Sequence, residues 1–509
     1  MAENALGNRW RRWLLYPVLG LTGIVLFFYA EEDLRGWWAW QSFKHSVKGE
    51  RFDFASIVPA TVPDDQNFAL TPVVASSYLA ELDGHGKHRP HPDTSVVNRL
   101  KMSLYGETDN HLWPKDGSWA RGVATDLAAW QRFYRAVGEK TNAFPVAPAP
   151  QSPAADVLFA LSKYDAAIEE LRQASALPYS RFPLNYNTDR PFDILLPHLA
   201  AMKQCSQVLA LRATAELEAG QTDKAFDDVK LSLRLIDADR GEPFLISDLV
   251  RIAELQIVLQ PVWEGLAKGG WSDQQLGGLE EELGKIDFVE DAARSFRGER
   301  NMAIATVDSM RRVRSYYVSY LADAGRPGRG NAFQTMEAYL MPSGWFYENE
   351  IQIAQLNQQY ILPMVDPARH EILPAWENKA DRYVRSLRRR PWNSLASIMA
   401  SSVGTTGVRY AHGQENVDLA RIACALERYH LALHEYPGNL EALVPQFIDK
   451  IPSDVIGGGS LHYRLAGTRY SLYSIGWNGK DDDAKTVAVR SARAMDLRSG
   501  DWIWPVAMQ

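Results

Sequence analysis

The residues in this chain best suited to chemistry are clustered acids and histidines. Asp481, Asp482 and Asp483 stand together in the stretch Gly476-Trp-Asn-Gly-Lys-Asp-Asp-Asp483. Carboxylates on a flexible loop suit calcium, a hard cation that takes several oxygen ligands. Adjacent side chains diverge, so at most two of the three would coordinate, with carbonyls or a more distant acid such as Asp496 completing the shell. The plain alternative is a solvated loop whose repulsion is screened by water and salt. His85, His88 and His91 recur every third residue between Asp83 and Asp93, a donor set open to zinc or copper. A Gly/Pro loop, however, does not fix ligand geometry. His430 and His434 lie four apart beside Glu435, but zincin chemistry needs a glutamate directly after the first histidine, and Leu431 occupies that place. Arg382, Arg385 and Arg388 to Arg390 form a basic run that complements a helix C-terminus. The P-loop, the dinucleotide fingerprint, the G-x-S-x-G elbow and the kinase set are all missing from the sequence. No catalytic residue is assigned, and a non-enzyme is favoured.

Composition bounds what these residues can belong to. The 509 residues are 46% hydrophobic and 23% charged, enough apolar material for a real core and too much for a disordered chain. A net charge of −7 supplies no basic field for nucleic acid, so no nucleic-acid partner is expected. Cys205 and Cys424 are too few for a disulfide framework or a four-cysteine zinc site. Both sit in apolar helical patterns and read as small buried hydrophobes; a single disulfide between them stays open.

The strongest organisational signal is at the N-terminus. Trp13 to Ala30 reads WLLYPVLGLTGIVLFFYA, without a charge. As a helix it would extend about 27 Å, close to the ~30 Å of a hydrocarbon core. Arg9, Arg11 and Arg12 precede it and Glu31, Glu32 and Asp33 follow. The excess of arginine places the N-terminus in the cytoplasm and the bulk of the chain outside. Trp10, Trp13, Trp37, Trp38 and Trp40 flank the span, where aromatic rings favour the membrane interface. A cleaved signal peptide would want small residues at its cleavage site; Phe28 and Tyr29 before Ala30 are bulky, so an uncleaved anchor is expected.

Beyond the anchor the pattern is mainly helical. Glu31 to Lys48 continues the anchor helix, and the prolines from Pro59 to Pro72 enforce extended chain. Asp83 to Asp93 and Pro145 to Pro153 are breakers. Helical spacing then covers Ala154–Ala174, Pro197–Ala219, Thr222–Ile236 and Leu245–Leu266, the last apolar on nearly all sides. Ser272-x-x-Gln275 is a capping box. One long helix is expected over Phe288–Ala322, a turn at Gly325–Gly330, and helices over Phe333–Leu340, Asn349–Tyr360 and Pro367–Arg388. Leu209, Ala213, Gly220 and Ala225 match one tetratricopeptide hairpin, but no second copy follows, so an ordinary helical hairpin is expected. After Arg390 the pattern changes: a helix over Asn416–His434, a break at Tyr436-Pro437-Gly438, a short helix at Leu440–Phe447, and alternating strands at Leu461–Leu465 and Tyr470–Ile475 around a Gly467-Thr468 turn.

Tyr436-Pro437, Leu440, Leu443, Ile451-Pro452, Asp454 and Tyr470-x-Leu472-x-Ser474-x-Gly476 occur in the order seen in the globular part of the type II secretion major pseudopilin, which this end of the chain resembles. The resemblance covers about a fifth of the sequence. It implies a small α+β module and a calcium-binding loop in the region of Asp481 to Asp483. A pilin's hydrophobic helix runs directly into its head, whereas here most of the chain separates the two. The resemblance therefore implies a shared module and not a pilus subunit. The body, on Asp64-Asp-Gln-Asn-Phe-Ala69, Arg181-Phe-Pro183, Glu242-Pro243 and Leu249-Val-Arg251, resembles a bacterial family of single-pass membrane-anchored proteins of uncharacterised activity; that likeness implies architecture alone.

The layout expected is a cytoplasmic tail at 1–12, a transmembrane anchor at 13–30, a juxtamembrane helix and irregular segment at 31–153, a helical body at 154–393 and a pseudopilin-like α+β module at 394–509. The fold class is mainly α with a small C-terminal β-hairpin. The function expected is that of a membrane-tethered extracytoplasmic interaction or scaffold protein. Its partners are the lipid bilayer, through Trp13 to Ala30, and a further protein. The alternatives are an envelope secretion or assembly component and an enzyme whose residues converge only in three dimensions.

Overall fold

The structure is a computed structural model of the chain and describes all residues except 1–2, 79–98, 107–112, 116, 324–330, 389, 400–405, 489–494 and 506–509; side chains of 3–14, 323, 331–334, 391, 487–488 and 495 are likewise outside the description. His85, His88, His91, Arg389, the Gly325–Gly330 turn and the side chains of Arg9, Arg11 and Arg12 thus lie outside the described residues.

The protein is mainly helical, with small sheets near the C-terminus. Helix α1, Glu3–Ser46, is continuous through Pro17. Its apolar part is long enough to cross a membrane, and its side chains are bare: Ile24 is 68% and Phe27 73% exposed. Below it the polypeptide builds α2 (Pro72–Ala75), α3 (Leu127–Thr141), α4 (Pro153–Leu161), α5 (Asp165–Ala174), α6 (Pro197–Glu218) and α7 (Thr222–Ala238). Asp126 and Ser152 cap α3 and α4 by accepting from Ala129 N and Ala155 N. Gly220, at φ +72°, makes the tight α6–α7 turn that a side chain would strain. These helices close around Phe68, Trp130, Tyr134, Val157, Leu209 and Leu235.

A second core is built on α8 (Leu245–Ala267), α9 (Asp273–Leu283), α10 (Phe288–Arg312), α14 (Ala375–Leu387) and α16 (Gly407–Leu433). The Ser272–Gln275 capping box is formed in both directions, at 3.2 and 3.0 Å. Against α16 lies an antiparallel sheet of order β3-β4-β7, from His462–Ala466, Arg469–Ser474 and Trp502–Trp504. Tyr463 pairs with Leu472, and Leu472 with Trp504. Two-stranded pairs β1–β2 (Val365–Asp366, Glu371–Ile372) and β5–β6 (Thr486–Ala488, Met495–Gly500) complete the strands. This core runs without a break from α8 to Trp504, across the change of pattern at residue 394.

The third core joins the outer half of α1 to α10, α11 (Arg314–Asp323), α12 (Asn331–Leu340), α13 (Ser343–Leu356) and α15 (Ser394–Met399). Several expectations need correction: the helix expected over 154–174 is divided by a 3-10 turn at Ser162–Tyr164, and the one expected over 440–447 is a 3-10 turn, Leu440–Leu443. The helix over 288–322 is broken at Val313, which leaves the helical region at φ −122°, ψ 87° while its N–H still closes on Ser309 O at 2.8 Å. The helix expected from Pro367 starts at Ala375, because Asp366 accepts from Arg369 N and His370 takes φ +58° to close the β1–β2 turn. The helix expected from Asn416 starts at Gly407; its first half is buried except at Arg409 and His412 and so lacks the broad polar face that marks an amphipathic helix.

Helices α1 and α13 cross at Gly36 and Gly344, where a Cβ on either would overlap the other helix's backbone. The crossing is tied by Gly344 N to Asp33 Oδ1 at 2.8 Å, Trp345 Nε1 to Glu32 Oε2 at 3.1 Å and Tyr29 OH to Leu340 O at 2.5 Å. Overpacking of this kind costs about 1–3 kcal/mol. Gly344→Ala is therefore expected to lower the melting temperature of the detergent-solubilised protein and to speed protease cleavage beyond Ser46. Gly438→Ala, where a Cβ meets nothing within 4 Å, is expected to change neither. Equal behaviour of the two variants would refute a close-packed crossing.

Candidate functional site

The charged residues buried in the body come from short-range local decisions. Pro197 opens α6 and puts His198 in its first turn. Asp239 caps the C-terminus of α7, and Glu242 N bonds back to Asp239 O at 3.1 Å in the link to α8. That short link turns both carboxylates toward the start of α6. His198 Nε2 lies 2.8 Å from Glu242 Oε1 and 3.7 Å from Asp239 Oδ1. His198 and Asp239 are 0% exposed and Glu242 5%. Ser247 Oγ donates to Glu242 Oε2 at 2.5 Å, and Phe182 stacks on the imidazole at 3.9 Å.

The contacts are close but poorly directed for hydrogen bonds. Both His198 nitrogens, both Asp239 oxygens and Glu242 Oε1 lack a hydrogen-bond partner among the described residues. Glu254, on α8, is fully enclosed with both oxygens likewise unpartnered. Burial pushes the Asp239 carboxyl up to about 7, against the pull of His198, and pushes Glu254 well above the carboxylate range, helped by Asp239. Burial works against the His198 imidazolium, but Glu242 and Asp239 outweigh it and raise that group.

One turn of α8 away the situation is opposite. Arg251 Nη1 donates to Asp248 Oδ1 and to Asp291 Oδ2, each at 2.7 Å, and its Nε donates to Ile236 O at 2.7 Å. Asp248 also accepts from Ser295 and, at 2.9 Å, from Tyr410 OH. Arg294 and Arg240 reach Asp291 from the surface. One acid group thus has its cations. The other holds an imidazole and two carboxyls, with Glu254 interacting electrostatically with Asp239, and no Arg or Lys forms an ion pair with them among the described residues. Such a set can share protons or hold a divalent cation; being closed, it cannot take a substrate.

A cavity of about 310 Å³ lies elsewhere between α6 and α8. Trp119, Trp130 and Leu211 wall it, and Gln207, Thr214 and Gln256 offer neutral polar groups. No titratable side chain is among its lining residues, so an apolar guest would find hydrogen bonds there but no acid or base.

The structure spreads the sequence-derived candidates apart. In the C-terminal loop, Arg464 stands between Asp481 and Asp483, with Nη2 3.3 Å from Asp481 Oδ2 and Nη1 3.0 Å from Asp483 Oδ1. Asp481 Oδ1 also accepts from Asp483 N and Tyr473 OH, and these bonds, the amide first, hold its carboxyl below the usual range. Asp482 Oδ2 accepts from Asn478 at 2.8 Å. Asp496 is engaged with Arg498 N. A guanidinium therefore already relieves the repulsion, and calcium here would have to displace it. His430 stacks on Tyr436 at 4.5 Å, while His434 ends α16 at φ +58°. Arg382, Arg385, Arg388 and Arg390 are exposed. Cys205 and Cys424 are free and buried.

Asp454, singled out by the pseudopilin-like pattern, is structural in a definite way. Its carboxylate accepts from Ile456 N, Ser474 Oγ and Ile475 N at 2.8–3.1 Å, pinning the Pro-Asp segment to the end of β4. The stretches that carry the body's resemblance also converge. Asn67 exchanges two 2.9 Å bonds with Arg181, whose neighbour Phe182 covers His198, which meets Glu242. No protein family, no curated protein and no solved structure matches the chain. Sequence reasoning missed His198, Asp239 and Glu242 because no ligand spacing links them. The one available signal was a run of acids and a histidine at the ends of otherwise apolar helices.

Asp239 and Glu254 keep their protons in the fold at pH values where the unfolded chain has lost them, and Glu299 and Glu216, pushed by burial to about 7 and about 8, do the same. The folded state then binds more protons, so stability falls as pH rises from about 4.5 toward 8. His198 acts in the same sense: its contribution is full below its ordinary 6.5 and is lost as pH rises through its higher folded value. The melting temperature of chelator-treated protein is expected to drop between pH 5.5 and 8, and Glu254→Gln to flatten the slope. A melting temperature that climbs over that interval would contradict this account.

Proposed function

We propose that the protein is a membrane-tethered extracytoplasmic scaffold, with its N-terminus in the cytoplasm and its helical body held at a fixed attitude outside. The observation that carries this reading is the continuity of α1. The same helix that bares Leu15 to Phe28 goes on, without a linker, into a buried seam against α13. Trp40 on its far end is 6% exposed and packs with Phe43 and Phe52. A signal sequence destined for removal has no need of such a seam. Beside the end of the span, α12 leaves Met336, Tyr339 and Leu340 at least half exposed, next to the Tyr29–Leu340 bond. Side chains of this kind suit the headgroup layer. The arginines before the span and acids after it favour the N-in orientation.

A second reading, an envelope secretion or assembly component, is supported by the order helix α16, Asp454 bridge, β3–β4 hairpin, which follows the pseudopilin-like pattern. In either case a protein partner is the expected ligand.

Orientation is the part most directly tested. A reporter active only outside the cytoplasm, fused after Gln509, is expected to be active; replacing Arg9, Arg11 and Arg12 with glutamate is expected to reduce that activity. A fusion active only in the cytoplasm would sink the reading.

A further inference from the structure

We propose that His198, Asp239 and Glu242 form a buried structural zinc site. The three ligand atoms lie within 4.8 Å of one another and all are buried. For zinc bonds of 2.0–2.1 Å, tetrahedral geometry sets ligand atoms about 3.3 Å apart. The two separations from His198 Nε2, 2.8 and 3.7 Å, straddle that value, so rotation of two carboxyl groups by a few tenths of an ångström suffices.

The donor set argues for zinc over a harder cation. Calcium needs six to eight oxygens and magnesium keeps several waters, whereas this site is closed and offers an imidazole. It also argues against a simple imidazolium ion pair. A charged ring brings a single positive charge, and its Nε2 faces two carboxyls, Glu242 at 2.8 Å and Asp239 at 3.7 Å. One imidazolium would also leave the remaining acids, including Glu254, with no contacting cation. A divalent ion supplies the second positive charge, using the Nε2 lone pair and the free oxygens of Asp239 and Glu242. The surroundings fit: Ser247 orients Glu242 through its second oxygen, and Phe182 fixes the ring plane. The ion would tie the start of α6 to the α7–α8 link, so its binding is coupled to folding.

The test uses the full chain in detergent, stripped with chelator, incubated with zinc or manganese and freed of excess ion by gel filtration. Elemental analysis is expected to find one zinc per chain, with a raised melting temperature that chelator reverses. His198→Ala is expected to lose the ion, Ser247→Ala to weaken binding about 10–100-fold, and the Asp481→Ala/Asp483→Ala double variant to retain it. Since His198→Ala can also fail to fold, X-ray absorption at the zinc edge is read on the unmodified protein; a shell of nitrogen and oxygen that includes an imidazole is expected. No retained zinc, retention of manganese in preference to zinc, zinc unaffected by His198→Ala, or sulfur in the shell would each overturn the assignment.

Discussion

One buried guanidinium joins four helices. Arg251 sits on α8 and donates to Asp248 of its own helix, to Asp291 of α10 and to the Ile236 carbonyl at the end of α7; Asp248 in turn accepts from the Tyr410 hydroxyl of α16. Removing water from a charge costs several kcal/mol unless its partners are well placed. Here nearly every position around the ion is filled, so the helices cannot slide without leaving a charge bare. Losing one member of such a set typically costs 3–5 kcal/mol. The apolar cores supply most of the drive to fold, but apolar surfaces tolerate several registers. The Arg251 group permits one. That fixed register places the α7–α8 link against α6, and hence Asp239 and Glu242 against His198.

The same logic explains why the neighbouring group differs. Glu254 follows Arg251 by one turn, on the side of α8 that faces α6. A second arginine there would have completed an ion pair network like the first. Instead the neighbouring group has His198 as its cationic partner, a ring that carries its charge only when protonated. The fold therefore contains two adjoining buried acid groups made from the same helices, one closed by guanidinium and one open to a small cation or to protons.

Much of the architecture was legible because it is decided locally. The α6–α7 hairpin follows from Gly220 between apolar stripes, the α9 start from Ser272 and Gln275, and the β3–β4 hairpin from alternation around Gly467-Thr468. The span is visible from composition alone. What stayed hidden depends on partners distant in sequence. Gly407 to Gln414 reads as irregular because a segment buried on nearly every side shows no period, and β7 is too short to show one. The break at Val313 has no Pro or Gly to announce it. The acid–histidine group is the extreme case: its members come from two separate segments, and each alone looks like an ordinary helix-end polar residue. The aspartate run at 481–483, by contrast, was conspicuous in sequence precisely where the fold supplies Arg464 as a neighbour from a strand seventeen residues earlier.

Helix α10 connects these features to the membrane. Its N-terminal half carries Asp291 and Ser295 into the Arg251 group. Further along, Arg300 Nη1 donates to Glu50 Oε2 at 2.9 Å and Nη2 to Arg51 O, while Asn301 Nδ2 donates to Arg51 O and Asp53 O, each at 3.0 Å. Those residues are the chain that leaves α1. Ten residues of helix separate the two ends, about 15 Å of rod. The span, its seam with α13 and the start of the irregular segment are thus fastened to the same helix that organises the buried charges. A flexible linker after α1 would have let the body move freely against it. A glycine-on-glycine crossing at one side and an α10 clamp at the other fasten the long apolar helix to the body instead.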